Sequence, residues 1–86
     1  MYYVYFLKSR HSVFRYVGYT SNLKKRIAEH NNGNNKSTKH YIPLELDAYV
    51  AVKTELLAKE LEKYFKTGSG IAFARKRILS NEALGK

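Results

Sequence analysis

Tyr2-Tyr3-Val4-Tyr5-Phe6-Leu7, followed after a short polar stretch by Phe14-Arg15-Tyr16-Val17-Gly18-Tyr19, decides the fold. Both runs are dense in aromatic and β-branched residues, which suit a pleated, half-buried surface, so each reads as a strand. Lys8 to Val13 is short and polar, and an antiparallel hairpin is the simplest way to join the two. Side chains alternate along a strand. Tyr3, Tyr5 and Leu7 therefore share one face of the first strand, and Val4 and Phe6 share the other. Phe14, Tyr16 and Gly18 go together on the second, so Tyr5 and Tyr16 are expected side by side.

Working outward, Thr20 or Ser21 is a good N-cap for a helix running to about Asn31. Leu23 and Ile27, four residues apart, supply its buried stripe. Gly33 marks its stop, because glycine takes positive φ without steric cost. A polar loop, Asn34 to Tyr41, leads past Pro43 to a third strand at a sheet edge, Leu44 to Val52. Thr54 caps a second helix whose core face is Leu57, Ala58, Leu61, Tyr64 and Phe65, ending at Thr67-Gly68. Ser69 caps a third, from Gly70 to about Leu79, with Ile71, Ala74 and Ile78 inward and Arg75, Lys76 and Arg77 largely outside. The expected fold is α+β, a small three-stranded antiparallel sheet flanked by helices in the order ββαβαα. Residues 1–79 form one domain on this reading, and 80–86 a frayed tail.

The chain has 86 residues, enough for one compact domain, and no cysteine, which excludes disulfides, thiolate metal sites and cysteine nucleophiles. No apolar run approaches the roughly 20 residues that cross a bilayer, and no secretory leader is recognisable at the start, so a cytoplasmic protein is expected. Sixteen Lys and Arg against seven Asp and Glu leave a net charge of +9, which calls for a polyanionic partner. The basic residues are dispersed rather than gathered on one amphipathic helix, which favours nucleic acid over a membrane surface.

Gly-rich phosphate loops, paired-His metal motifs and Ser-His-Asp spacing are all missing. What stands out is Tyr5, Tyr16, Arg26, His30 and Glu62. Arg26 and His30 lie one helical turn apart on one face, and Glu62 borders the apolar face of the second helix. Each has a purely structural reading: tyrosines fill sheets, Arg26 belongs to a basic run, His30 suits a helix C-terminus, and Glu62 can pair with Lys66. Converging over the hairpin, the set suits phosphodiester cleavage. A carboxylate holds Mg²⁺, a guanidinium grips a phosphate oxygen, and a phenol or imidazole takes a proton from water.

The order of motifs resembles the GIY-YIG nuclease superfamily. Tyr3-Val4-Tyr5 and Tyr16-Val17-Gly18 stand as its paired strand signatures. Gly18 through Arg26, then Glu29-His30-Asn31-Asn32-Gly33, continue the likeness, and Leu61 through Gly70 resembles the Glu-bearing helix and its following turn. The likeness is nearest to the small, excinuclease-like branch. It implies a metal-dependent DNA endonuclease serving repair, recombination or defence, with DNA preferred over RNA. One Mg²⁺ or Mn²⁺ would sit on Glu62. Tyr5, Tyr16, Arg26, His30 and Glu62 are its expected catalytic residues, with Tyr16, or His30 in its place, activating the water. Lys24, Lys25, Lys36, Lys39 and Lys66 are expected on the nucleic acid. Tyr3 replaces the first glycine of the signature, Leu61 a basic residue, Tyr19 another, and Ala74 falls near an asparagine of some members. Two other readings stay open: a non-catalytic nucleic-acid-binding module, and a nuclease subunit that cuts only with a partner. A homodimer or a partner protein would supply specificity.

Overall fold

The computed structural model describes residues 1–80. In chain order these form β1 (Tyr2–Ser9), β2 (Arg15–Thr20), α1 (Leu23–Asn31), β3 (Leu44–Val52), α2 (Glu55–Tyr64) and α3 (Gly68–Arg77), with a 3-10 turn at Lys39–Tyr41 inside the polar loop. The order is the expected ββαβαα. The sheet is antiparallel throughout, in the order β2-β1-β3, which puts the hairpin's first strand at its centre and β3 at an edge.

Centrality explains the unbroken apolar run on β1, since both of its faces are covered. Val4 and Phe6 pack with Ala58, Phe65 and Ala74 beneath α2 and α3. Tyr5 and Leu7 pack with Leu44 and, half-buried, Leu23 and Ile27 of α1. The β1–β3 ladder slips between Phe6 and Leu7, which pair with Ala48 and Leu46 and leave Asp47 as the extra residue of a bulge. Asp47 accepts from Arg15 at 2.8 Å and from the Ser80 hydroxyl at 2.8 Å. Burial raises its pKa, but the bonds from Arg15 and Ser80 outweigh that and hold it below the ordinary carboxylate range. Ser80, expected to open a frayed tail, is thus tied to the bulge, and residues 81–86 lie outside the described ones.

Several boundaries differ from expectation. Asn22, not Thr20 or Ser21, caps α1 by accepting from the Lys25 amide at 3.1 Å, because Thr20 still pairs with Tyr3 in the sheet. Thr54 caps α2 as expected. That helix stops at Tyr64, though, and Thr67 rather than Ser69 caps α3. The junction is tight: a Cβ at Gly70 would run into the Tyr64 carbonyl, so the two helices meet at a backbone contact that only glycine permits. On α2 the inward stripe narrows to Ala58, Leu61 and Phe65, leaving Leu57 48% and Tyr64 41% exposed. On α3, Gly70 and Ala74 face the core, and Ile71, expected inside, is 42% exposed. Gly33 takes φ +79° after α1, the stop foreseen for it. No helix among the described residues is long and apolar enough to cross a membrane.

Candidate active site

Direct pairing of Tyr5 with Gly18 across the hairpin creates the site's central gap. A Cβ on Gly18 would lie 2.5 Å from the Tyr5 hydroxyl and 3.0 Å from the Tyr16 ring, so the missing side chain is what lets the two phenols approach. Their ring centroids are 6.3 Å apart. α1 lays His30 over both, with centroids 5.7 Å from Tyr5 and 5.0 Å from Tyr16.

Beneath this surface runs a chain of hydrogen bonds. The Tyr5 hydroxyl lies 2.9 Å from His30 Nε2, and His30 Nδ1 lies 2.8 Å from Thr38 Oγ1. Arg26 stands close enough to the same Tyr5 hydroxyl to pull its pKa down, and it donates to Glu29 at 3.1 Å. A neutral imidazole between two hydroxyls donates from one ring nitrogen and accepts at the other. The electrostatics agree. Burial, then the neighbouring Tyr16, push the Tyr5 pKa up to about 12, with Arg26 pulling the other way. Burial, then the charge of Arg26, lower that of His30.

Exposure separates the members. Tyr5, His30 and Thr38 are each 0% exposed, so His30 has neither a free nitrogen nor access to water. Its expected alternative role, activating water in place of Tyr16, does not fit that burial. Tyr16 and Arg26 are half-buried and reach the surface. Glu62 stands on α2, its side chain 21% exposed, with Lys66 at 3.2 Å. Its charge acts on Tyr5, so the carboxylate belongs to the same electrostatic neighbourhood. Lys24, Lys25, Lys36, Lys39 and Lys66 are all exposed. Thr38, which orients His30, carries no signal in the sequence: it is one polar residue in a polar loop.

No cluster of three or more His, Cys, Asp or Glu among the described residues makes a metal cage. A single carboxylate such as Glu62 offers hard oxygen donors, which suit an ion such as Mg²⁺ that keeps several waters, and supplies none of the nitrogen or sulfur ligands typical of Zn²⁺.

Residues 1–71, which hold all five candidate residues, match the family described as the GIY-YIG catalytic domain. A UPF0213 protein of Bacillus licheniformis is 38% identical over 52 residues, 59% of this chain. The match covers 54% of that protein, so the chain spans about half the length of the curated relative. No solved structure matches.

Proposed function

The chain belongs to the GIY-YIG nuclease family, and from that membership we propose that it is a metal-dependent endonuclease cleaving phosphodiester bonds in DNA. The observation that carries the reading is the seating of a surface phenol, Tyr16, against a sealed Tyr5–His30–Thr38 chain, with Arg26 and Glu62 beside it.

Glu62 is the residue that would hold Mg²⁺ or Mn²⁺. Such an ion, when bound, supplies Lewis-acid stabilisation of the phosphate and of the departing oxygen. The protein's own residues do the rest. Arg26 offers remaining guanidinium donors to a non-bridging oxygen and offsets the charge that grows there. Glu29 holds it in place from α1, and Tyr5 stands close by. Tyr5, protonated and buried, is a positioning residue: it is held by His30 and neighbours both Arg26 and Tyr16. Tyr16 is the phenol open to water, and as its phenolate it takes the proton of the attacking water, becoming the neutral phenol. Lys24, Lys25, Lys36 and Lys39 hold the phosphate backbone as it passes α1. Incision in repair, recombination or defence, in the cytoplasm, is the role such an activity serves.

The test is a cleavage panel of single-stranded, duplex and branched DNA and RNA, incubated with Mg²⁺, Mn²⁺ or a chelator. Cutting that requires the metal is expected, with DNA preferred. Binding across the panel without any cutting would replace this reading with that of a binding module.

A further inference from the structure

Away from the α1 face, two adjoining cavities of about 440 Å³ and about 1120 Å³ form one groove between α3 and the β1–β2 hairpin. They share Phe14, Arg15, Ile71, Arg75 and Leu79, and the smaller one is bounded by Tyr16 and Lys66. The groove therefore begins beside the candidate site and runs away from it toward the hairpin tip.

Its existence follows from the way α3 is seated. α3 meets the core through Gly70 and Ala74, side chains too small to fill the space beneath the helix, and Ile71 is left 42% exposed along one wall. Phe6, Phe65 and Leu79 contribute apolar surface. Phe14 lines both cavities, stacked on Tyr41 with centroids 3.9 Å apart and planes within 4°. The lining is strongly cationic: Lys8, Arg10, Arg15, Lys66, Arg75 and Lys76 stand against one carboxylate, Glu45. Lys8 leans on Glu45 at 3.7 Å, Arg15 on Asp47 and Lys66 on Glu62, whereas Arg75 and Lys76 lie exposed on α3.

A cationic rim fits a chain of phosphates. The apolar floor discriminates further. In a duplex the flat faces of the bases are stacked on one another and only phosphates and groove edges reach a protein, so the floor would gain nothing. In an unpaired strand the faces are free, and each base laid on an aromatic or aliphatic surface is worth about 1–3 kcal/mol. We infer that this groove holds a single-stranded segment of nucleic acid leading to or from the scissile phosphate, with bases against Phe14, Ile71 and Leu79 and phosphates along Arg75, Lys76 and Arg10. The substrate class is then nucleic acid with an unpaired flank rather than uninterrupted duplex. The inference rests on the nuclease reading for the word scissile; the binding itself does not.

Fluorescence anisotropy in chelator, where nothing is cut, tests it. The probes are a labelled single-stranded oligonucleotide, a blunt duplex of equal length, and a duplex with a single-stranded overhang. The wild type should bind the single strand and the overhang at least about tenfold tighter than the blunt duplex. Arg75→Glu with Lys76→Glu, both on the exposed side of α3, should weaken single-strand binding about tenfold or more and flatten its salt dependence. Ile71→Asp should weaken it as well, through the floor rather than the rim. Equal affinity for single strand and blunt duplex would overturn the inference. So would groove variants within twofold of wild type. The cleavage panel keeps the two readings apart. Groove-dependent binding without metal-dependent cutting would sink the nuclease alone, and cutting that groove variants perform as well as wild type would sink the groove alone.

Discussion

Tyr5 and Tyr16 share a sheet face and a histidine, yet only one of them meets water. Tyr5 is sealed beneath α1 and hydrogen-bonds to His30, and burial pushes its pKa up to about 12. A phenol so placed is a poor proton acceptor at any pH where the protein works. In the proposed mechanism the chemistry is accordingly Tyr16's and the geometry Tyr5's. One of the eight tyrosines should accordingly titrate near pH 12 by ultraviolet absorbance, well after a free phenol near 10, and Tyr5→Phe should remove that late step. The sign for stability follows. Between pH 10 and about 12 the folded protein keeps a proton that the unfolded chain has lost. Stability contributed by Tyr5 is thus complete below pH 10 and falls as pH rises through that interval. A Tyr5→Phe protein whose alkaline unfolding matched wild type would show that Tyr5 is not protected as described.

At the scale of elements, the joint between α2 and α3 is the most constrained feature of the fold. Thr67 accepts from the Gly70 amide at 3.0 Å and donates to the Tyr64 carbonyl at 2.6 Å, so one hydroxyl caps one helix and closes the other. Thr67→Ala should cost about 1 kcal/mol, with a range of about 0.5–2, measured by urea unfolding. Ser69→Ala should be nearly neutral; a larger loss at Ser69 than at Thr67 would contradict the assignment. The joint also shows where a sequence stops informing. Both Thr67 and Ser69 are good caps by composition, and the choice is made by how closely Gly70 approaches the Tyr64 carbonyl, a tertiary fact. The hairpin, by contrast, was legible because alternation alone places Tyr5 beside Tyr16. Ile71 was misplaced because helical spacing gives an apolar stripe but not its width, and α3 turns only its smallest residues to the sheet. For the candidate site, the pairing of phenols and the one-turn spacing of Arg26 and His30 could be read directly. The burial of His30 could not, since it depends on Thr38 folding back from a loop eight residues on.

For the whole molecule, ten of the sixteen lysines and arginines lie on two distinct surfaces. Lys24 and Lys25 lie on α1, and Lys36 and Lys39 on the loop that follows it. The groove cations lie on the hairpin, at the end of α2 and on α3. Two basic surfaces flanking one chemical centre suit a substrate that continues past the cut on both sides. Contacts to only four phosphates of an unpaired strand would give a slope of about −3 in a plot of log affinity against log salt. A slope near zero would mean that the charge serves solubility rather than binding.

In the proposed mechanism Glu62 and Tyr16 act together on a phosphodiester, and single-turnover cleavage of a DNA substrate with saturating Mg²⁺ tests that most directly. Wild type, Glu62→Gln and Tyr16→Phe would be compared, each first shown to be folded by circular dichroism. Metal-dependent cutting by wild type is expected, with Tyr16→Phe slower by about 10²–10⁴-fold, the usual worth of a positioned general base. Glu62→Gln should be at least about 10³-fold slower, since metal-held charge stabilisation is worth several kcal/mol. Cleavage that survives both substitutions at the wild-type rate would contradict the account.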